Sequence, residues 1–124
     1  MASKRVLSVG QCFADHSSLS RTLKQHFDVE VVPANGAAEA VRLVEQQAFD
    51  LVLVNRVFDA NGGSGVEFIR QLTQRQPQMT VPVMLVSNYE DAQREAVAAG
   101  ARPGFGKAAL GQPQTLARLK DVLG

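Results

Sequence analysis

The sequence predicts an α/β domain built around a parallel β-sheet, and three observations point there. Short apolar runs rich in β-branched residues recur along the chain, each ended by polar residues or glycine. Segments with helical spacing lie between them. The runs are continuously apolar and do not alternate, as expected of strands covered by helices on both faces.

Taken in order, the first strand is Val6–Val9, followed by a helix marked by Leu19, Leu23 and Phe27. Val29–Val32 is the second strand, and Ala37, Ala40, Val41, Val44 and Ala48 give the second helix its apolar stripe. The third strand, Leu51–Val54, leads into a long irregular stretch, 56–65, read as a flexible loop because it holds Asp59, Asn61, Gly62 and Gly63. Val66, Phe68, Ile69 and Leu72 mark the third helix, and Val81–Val86 the fourth strand. An alanine-rich fourth helix, Ala92–Ala99, stops at Gly100, the usual left-handed terminator. A short fifth strand is expected around Gly104 and Phe105, diluted by glycine and Pro103, and a fifth helix from about Gln114 to Leu123. Such alternation requires right-handed crossovers, and five strands in this length suit a flavodoxin-like (βα)5 three-layer sandwich with order 2-1-3-4-5.

The 124 residues fit a single domain, 1–124, so any output module is expected on another polypeptide. Hydrophobic residues make up 45% and charged residues 20%, with a formal net charge of +1. The cations are scattered among acids, which argues against a nucleic-acid surface. The polar start, Met1–Arg5, leads into only a few apolar residues, far short of a signal-peptide core or the ~20 of a membrane span, so a cytoplasmic location is expected. One cysteine, Cys12, forms neither an internal disulfide nor a cysteine-based metal site.

In such a sheet, chemistry gathers beyond the carboxyl ends of the strands, near the point where strand order reverses. The side chains to compare are Gly10 and Gln11 after the first strand, Asn55 after the third, Ser87 after the fourth and Lys107 after the fifth. Several stretches then match a known pattern in order. They are Arg5–Val9, Ala34–Ala40, Phe49–Val54, Gly63–Glu67, Pro82–Ser87, and Ala99–Ala101 with Lys107. Over nearly its whole length the chain resembles the receiver domain of two-component response regulators.

That resemblance implies two acids after the first strand, an aspartate after the third, a hydroxyl after the fourth and a lysine after the fifth. Carboxylates hold Mg²⁺, the aspartate takes a phosphoryl group, and hydroxyl and lysine bind its oxygens. Here Gly10 and Gln11 stand at the acidic pair and Asn55 at the acceptor, so only Ser87 and Lys107 survive. An asparagine amide has no anionic oxygen with which to form an acyl phosphate. Lys107, helped by Arg56, should repel a divalent cation and tolerate an anion. Mg²⁺ binding is expected to be weak or absent, and no other cofactor is implied. The family's proline after the lysine is Ala108, and its aromatic switch position falls on Gly104 with Phe105 one place later.

Plainer roles exist for the same residues. Lys107 is expected to bond to the Asn55 carbonyl oxygen. Asp15 and Asp59 are the two acids that could substitute in the pocket, but Asp15 reads first as a helix N-cap and Asp59 as part of an Asx turn with Asn61–Gly62. Cys12 lies near helix-terminal N–H groups, which allows a thiol sensor or a small thiol enzyme, yet no second cysteine or short phosphate-cradling loop accompanies it. His16 and His26 show no metal spacing, Ser87 has no nucleophile triad, and Gly10-Gln11-Cys12 is no dinucleotide-binding loop.

The expectation is therefore a non-enzymatic pseudo-receiver that acts through protein contacts, including with a second copy of itself, and is not switched by aspartyl phosphorylation at Asn55. By the same resemblance its surface would be the fourth helix, fifth strand and fifth helix, with apolar area around Tyr89 and Phe105. The alternatives are an anion- or phosphoryl-responsive regulator using Asp15 or Asp59, and a thiol-dependent enzyme or redox sensor through Cys12.

Overall fold

The computed structural model describes residues 3–75 and 81–124, so Met1 and Ala2 of the polar start lie outside the described residues. Strands β1 (Lys4–Val9), β2 (Val29–Ala34), β3 (Leu51–Asn55), β4 (Val83–Val86) and β5 (Arg102–Phe105) alternate with helices α1 (Phe13–His26), α2 (Ala37–Gln46), α3 (Gly65–Thr73), α4 (Glu90–Ala98) and α5 (Pro113–Leu123). All the strand pairs are parallel, in the order 2-1-3-4-5 that the sequence predicts. Helix-covered strands are thus flavodoxin-like in arrangement, with the order reversing between β1 and β3.

Alternation along each strand divides the core into two layers. Leu7, Val9, Val52, Val54, Val83 and Leu85 face α2, α3 and α4 and pack with Ala40, Phe68, Ile69, Leu72, Ala92 and Ala96. Val6, Leu51, Leu53, Met84, Val86 and Phe105 face α1 and α5, meeting Leu19, Leu23, Leu119 and Leu123. All five residues of central β3 are buried. The strand prolines fall on the two edges, Pro33 in β2 and Pro103 in β5, where a missing N–H is tolerated.

Three local expectations are corrected. Helix α1 is capped by Cys12, whose Sγ accepts from the Asp15 N–H at 3.4 Å; Asp15 is instead the third helical residue. The Asx turn belongs to Asn61, whose Oδ1 accepts from the Gly63 N–H at 2.8 Å, and not to Asp59. The 56–65 stretch is a closed turn. A Val57–Ser64 bridge and the Phe58 N–H to Gly63 O bond of 2.8 Å shut it, and Phe58, 3% exposed, anchors it by edge-on packing against Phe68.

Candidate functional site

The carboxyl end of the sheet carries a cavity of about 190 Å³ lined by Asn55, Arg56, Val57, Val86, Ser87, Asn88, Tyr89 and Lys107. Three residues named from the sequence, Asn55, Ser87 and Lys107, therefore do meet. Their partners differ from those expected.

Asn55 ends β3 and is nearly buried, so its amide must be satisfied internally. Its Nδ2 donates to Gly10 O at 3.0 Å and to Val57 O at 2.7 Å. Two backbone carbonyls thus converge on a position that calls for a hydrogen-bond donor, and the amide ties the end of β1 to the turn after β3. Glycine at position 10 has a physical reason too. Its φ of 76° is left-handed, and a Cβ there would strike the edge of the Phe58 ring.

Lys107 follows β5 at the start of a short 3-10 turn, Lys107–Ala109. The expected bond to Asn55 is replaced by one to Asp15, whose Oδ2 accepts from Lys107 Nζ at 2.6 Å. The ammonium takes the carboxylate that the first turn of α1 presents, while Asn55 Nδ2 donates to two carbonyls. That hydrogen bond from Lys107 is the main cause holding the Asp15 carboxyl below its usual value, against partial desolvation that raises it; the Cys12 contact and the lysine's charge add to the lowering. A carboxylate in the first turn also suits the positive end of the helix dipole.

Ser87 is buried, and its Oγ accepts from the Tyr89 N–H at 3.2 Å, which starts the turn into α4. Arg56 stacks over the Tyr89 ring with its guanidinium carbon 4.6 Å from the centroid. The Gln11 amide does not line the cavity; its oxygen and nitrogen are buried with no hydrogen-bond partner among the described residues. Asp59 is exposed, and its backbone N–H, not its carboxylate, reaches Gly10 O at 3.0 Å. Among the described residues no three His, Cys, Asp or Glu side chains gather as a metal cluster. No described helix is long and apolar enough to cross a membrane.

Sequence reasoning missed two members of this region. Phe58, which excludes a side chain at position 10, was signalled only as the one aromatic in a polar, glycine-rich stretch. Gln93 of α4 gave no signal at all, although its amide bonds to both β4 and β5. Phe105, expected to offer apolar surface, is 3% exposed because it points into the α1/α5 layer. The exposed apolar area near α4 comes from Tyr89 at 59% and Val97 at 44%.

The pattern of the response regulator receiver domain matches residues 13–116. Among curated protein sequences none matches this chain. Among solved structures, NtrX from Brucella abortus superposes with a TM-score of 0.80 at 17% identity, covering 98% of this chain and 27% of that one. A putative response regulator from Chloroflexus aurantiacus gives 0.79 at 18%, covering 98% of each chain. The BeF3-activated receiver domain of Klebsiella pneumoniae RstA gives 0.79 at 22%, covering 97% of this chain and 98% of that one. At these identities the structures establish likeness of fold. This chain spans about a quarter of the length of the NtrX chain.

Proposed function

Since the chain belongs to the response regulator receiver domain family, whose pattern covers most of its length, we propose that it is a pseudo-receiver: a non-enzymatic signalling module that works by protein contact and is not switched by aspartyl phosphorylation at position 55. The observation that carries this reading is the pair of hydrogen bonds from Asn55 Nδ2 to Gly10 O and Val57 O. Position 55 is a donor serving two carbonyls, the opposite polarity from a nucleophilic oxygen. The donor set does not fit Mg²⁺. Gly10 brings no side chain, Asn55 turns its NH2 inward, and Asp15 is already held by Lys107, so weak or absent binding follows.

The partner on this reading is a protein in two-component signalling, or a second copy of the chain, meeting the face of α4, β5 and α5. Tyr89 and Val97 supply apolar contact near that face. The reading places the protein in the cytoplasm and assigns it no nucleic-acid role, in keeping with its near-neutral charge.

One observation favours a second reading, an anion- or phosphoryl-responsive regulator, because Asp15 does bring a carboxylate to Lys107. The same geometry weakens it. Asp15 already occupies the ammonium that Lys107 would offer to a phosphoryl oxygen, and an incoming anion must displace it.

The test is an amide NMR titration of the full chain with Mg²⁺ and then with beryllofluoride, alongside intact mass after acetyl phosphate. Unchanged spectra and mass are expected. Added phosphate, or shifts at Ser87, Lys107 and residues 56–65, would show that Asp15 or Asp59 has restored the chemistry and would overturn the proposal.

A further inference from the structure

β4 and β5 do not pair evenly. Met84 stands opposite Arg102 and Val86 opposite Phe105, so Leu85 alone faces both Pro103 and Gly104. Such a bulge disrupts the ladder. The half-buried side chain of Gln93, on the first turn and a half of α4, enters at this point. Its Nε2 lies within hydrogen-bond distance of Leu85 O at 2.9 Å, Ser87 O at 3.1 Å and Phe105 O at 3.3 Å, and its Oε1 accepts from the Gly104 N–H at 3.2 Å. A primary amide carries the donor and acceptor of a peptide group, so here it acts as a strand residue lent by a helix.

Two further features fit this insertion. A Cβ on Gly104 would strike the Leu85 carbonyl oxygen and lie 2.9 Å from Gln93 Oε1, so the glycine leaves the room the amide uses. Arg118 of α5 donates to Gly104 O, so the Gly104 peptide is gripped on one side from α4 and on the other from α5. Ser87 O links the same amide to the floor of the pocket.

We propose that Gln93 is the positioning residue of the α4–β5–α5 face, clamping α4 to the bulge so that this face keeps one arrangement whatever the pocket holds. The inference rests on reading that face as the partner-binding one. In mechanical terms, α4 cannot tilt away from β5 without stripping partners from Gly104, Leu85, Ser87 and Phe105 together.

The test is residue-resolved amide exchange and relaxation dispersion on the full chain, wild type against Gln93→Leu and Gln93→Glu. In the wild type the Gly104 amide should be protected and α4 free of exchange broadening. Gln93→Leu, which keeps bulk without hydrogen bonds, should speed Gly104 exchange at least tenfold and broaden α4, leaving β1 and β3 amides unchanged. In Gln93→Glu the introduced carboxylate would face carbonyl oxygens, so the opening should be larger at pH 7.5 than at pH 5.5, where protonation restores a donor; simple packing would show no such pH profile. A rapidly exchanging Gly104 in the wild type, or a Gln93→Leu protein whose amides all change equally, would overturn the clamp. The beryllofluoride titration is read at other residues, so failure of the pseudo-receiver reading is distinguishable from failure of the clamp.

Discussion

The two halves of the sheet's carboxyl edge fill their space in different ways. On the β1–β3 half, Gly10, Asn55 and Phe58, all uncharged, close the space with a left-handed turn, an amide and an aromatic ring. On the β4–β5 half, Ser87 and Lys107 remain, but the hydroxyl serves the turn into α4 and the ammonium is neutralised by Asp15 from α1. One half is packed shut and the other is ion-paired. The difference teaches that a packed region resists opening by sterics and hydrogen bonding, whereas an ion-paired one is held mainly by an exposed ion pair and is the easier to open.

The sharpest way to break this contrast is Gly10→Asp. A side chain there combines positive φ with intrusion into the Phe58 ring, so the variant should lose about 3 kcal/mol or more in urea unfolding. Adding Phe58→Ala should cost less than the sum of the two single losses, because the clash is shared. Strict additivity would show that Phe58 does not guard the position.

Asn55→Asp should have the next largest effect, about 2 kcal/mol at pH 8, since it leaves Gly10 O and Val57 O facing a carboxylate in place of a donor. The introduced carboxyl is favoured in its protonated form, so its folded pKa is raised and the penalty should shrink as pH falls toward 4. Urea midpoints at the two pH values check the sign. A stable variant that gains Mg²⁺ affinity would mean that the β1–β3 half still accepts the acid it lacks.

Legibility in the sequence followed the same division. Buried β-branched runs such as Leu51–Val54 and helical stripes such as Leu19 and Leu23 specify the strands and helices, because period is a local property, and right-handed crossovers narrow the order in which those strands pair. The convergence of Asn55, Ser87 and Lys107 was equally legible, since topology alone brings strand ends together. Partner choice was not. Whether Lys107 meets Asn55 or Asp15 depends on the rotation of α1 at its first turn, and that is set by a Cys12 cap where aspartate and serine are the commoner choices. The Gln93 insertion depends on a one-residue mismatch between β4 and β5, which no propensity encodes.

The smallest expected effect, on the ion-paired half, is the most diagnostic for the second functional reading. Asp15→Asn should cost only about 0.5 kcal/mol at neutral pH, because both partners of the ion pair are more than a third exposed. The Asp15 carboxyl is depressed chiefly by its hydrogen bond from Lys107, so its contribution is fully present above the unfolded value of 3.8 and is lost as pH falls through the lower folded value. Urea midpoints of wild type and variant should therefore differ at pH 7 and converge in strong acid. His16, whose desolvation and nearby Lys24 lower its pKa, begins to destabilise both proteins as pH drops below its unfolded 6.5, and that decline cancels in the difference. Without Asp15, Lys107 faces the cavity with no carboxylate, so the variant should show phosphate-dependent amide shifts at Lys107 and Ser87 that the wild type lacks. If phosphate shifts the wild type more strongly than the variant, Asp15 takes part in holding the anion, and the β4–β5 half is a working site, not a neutralised one.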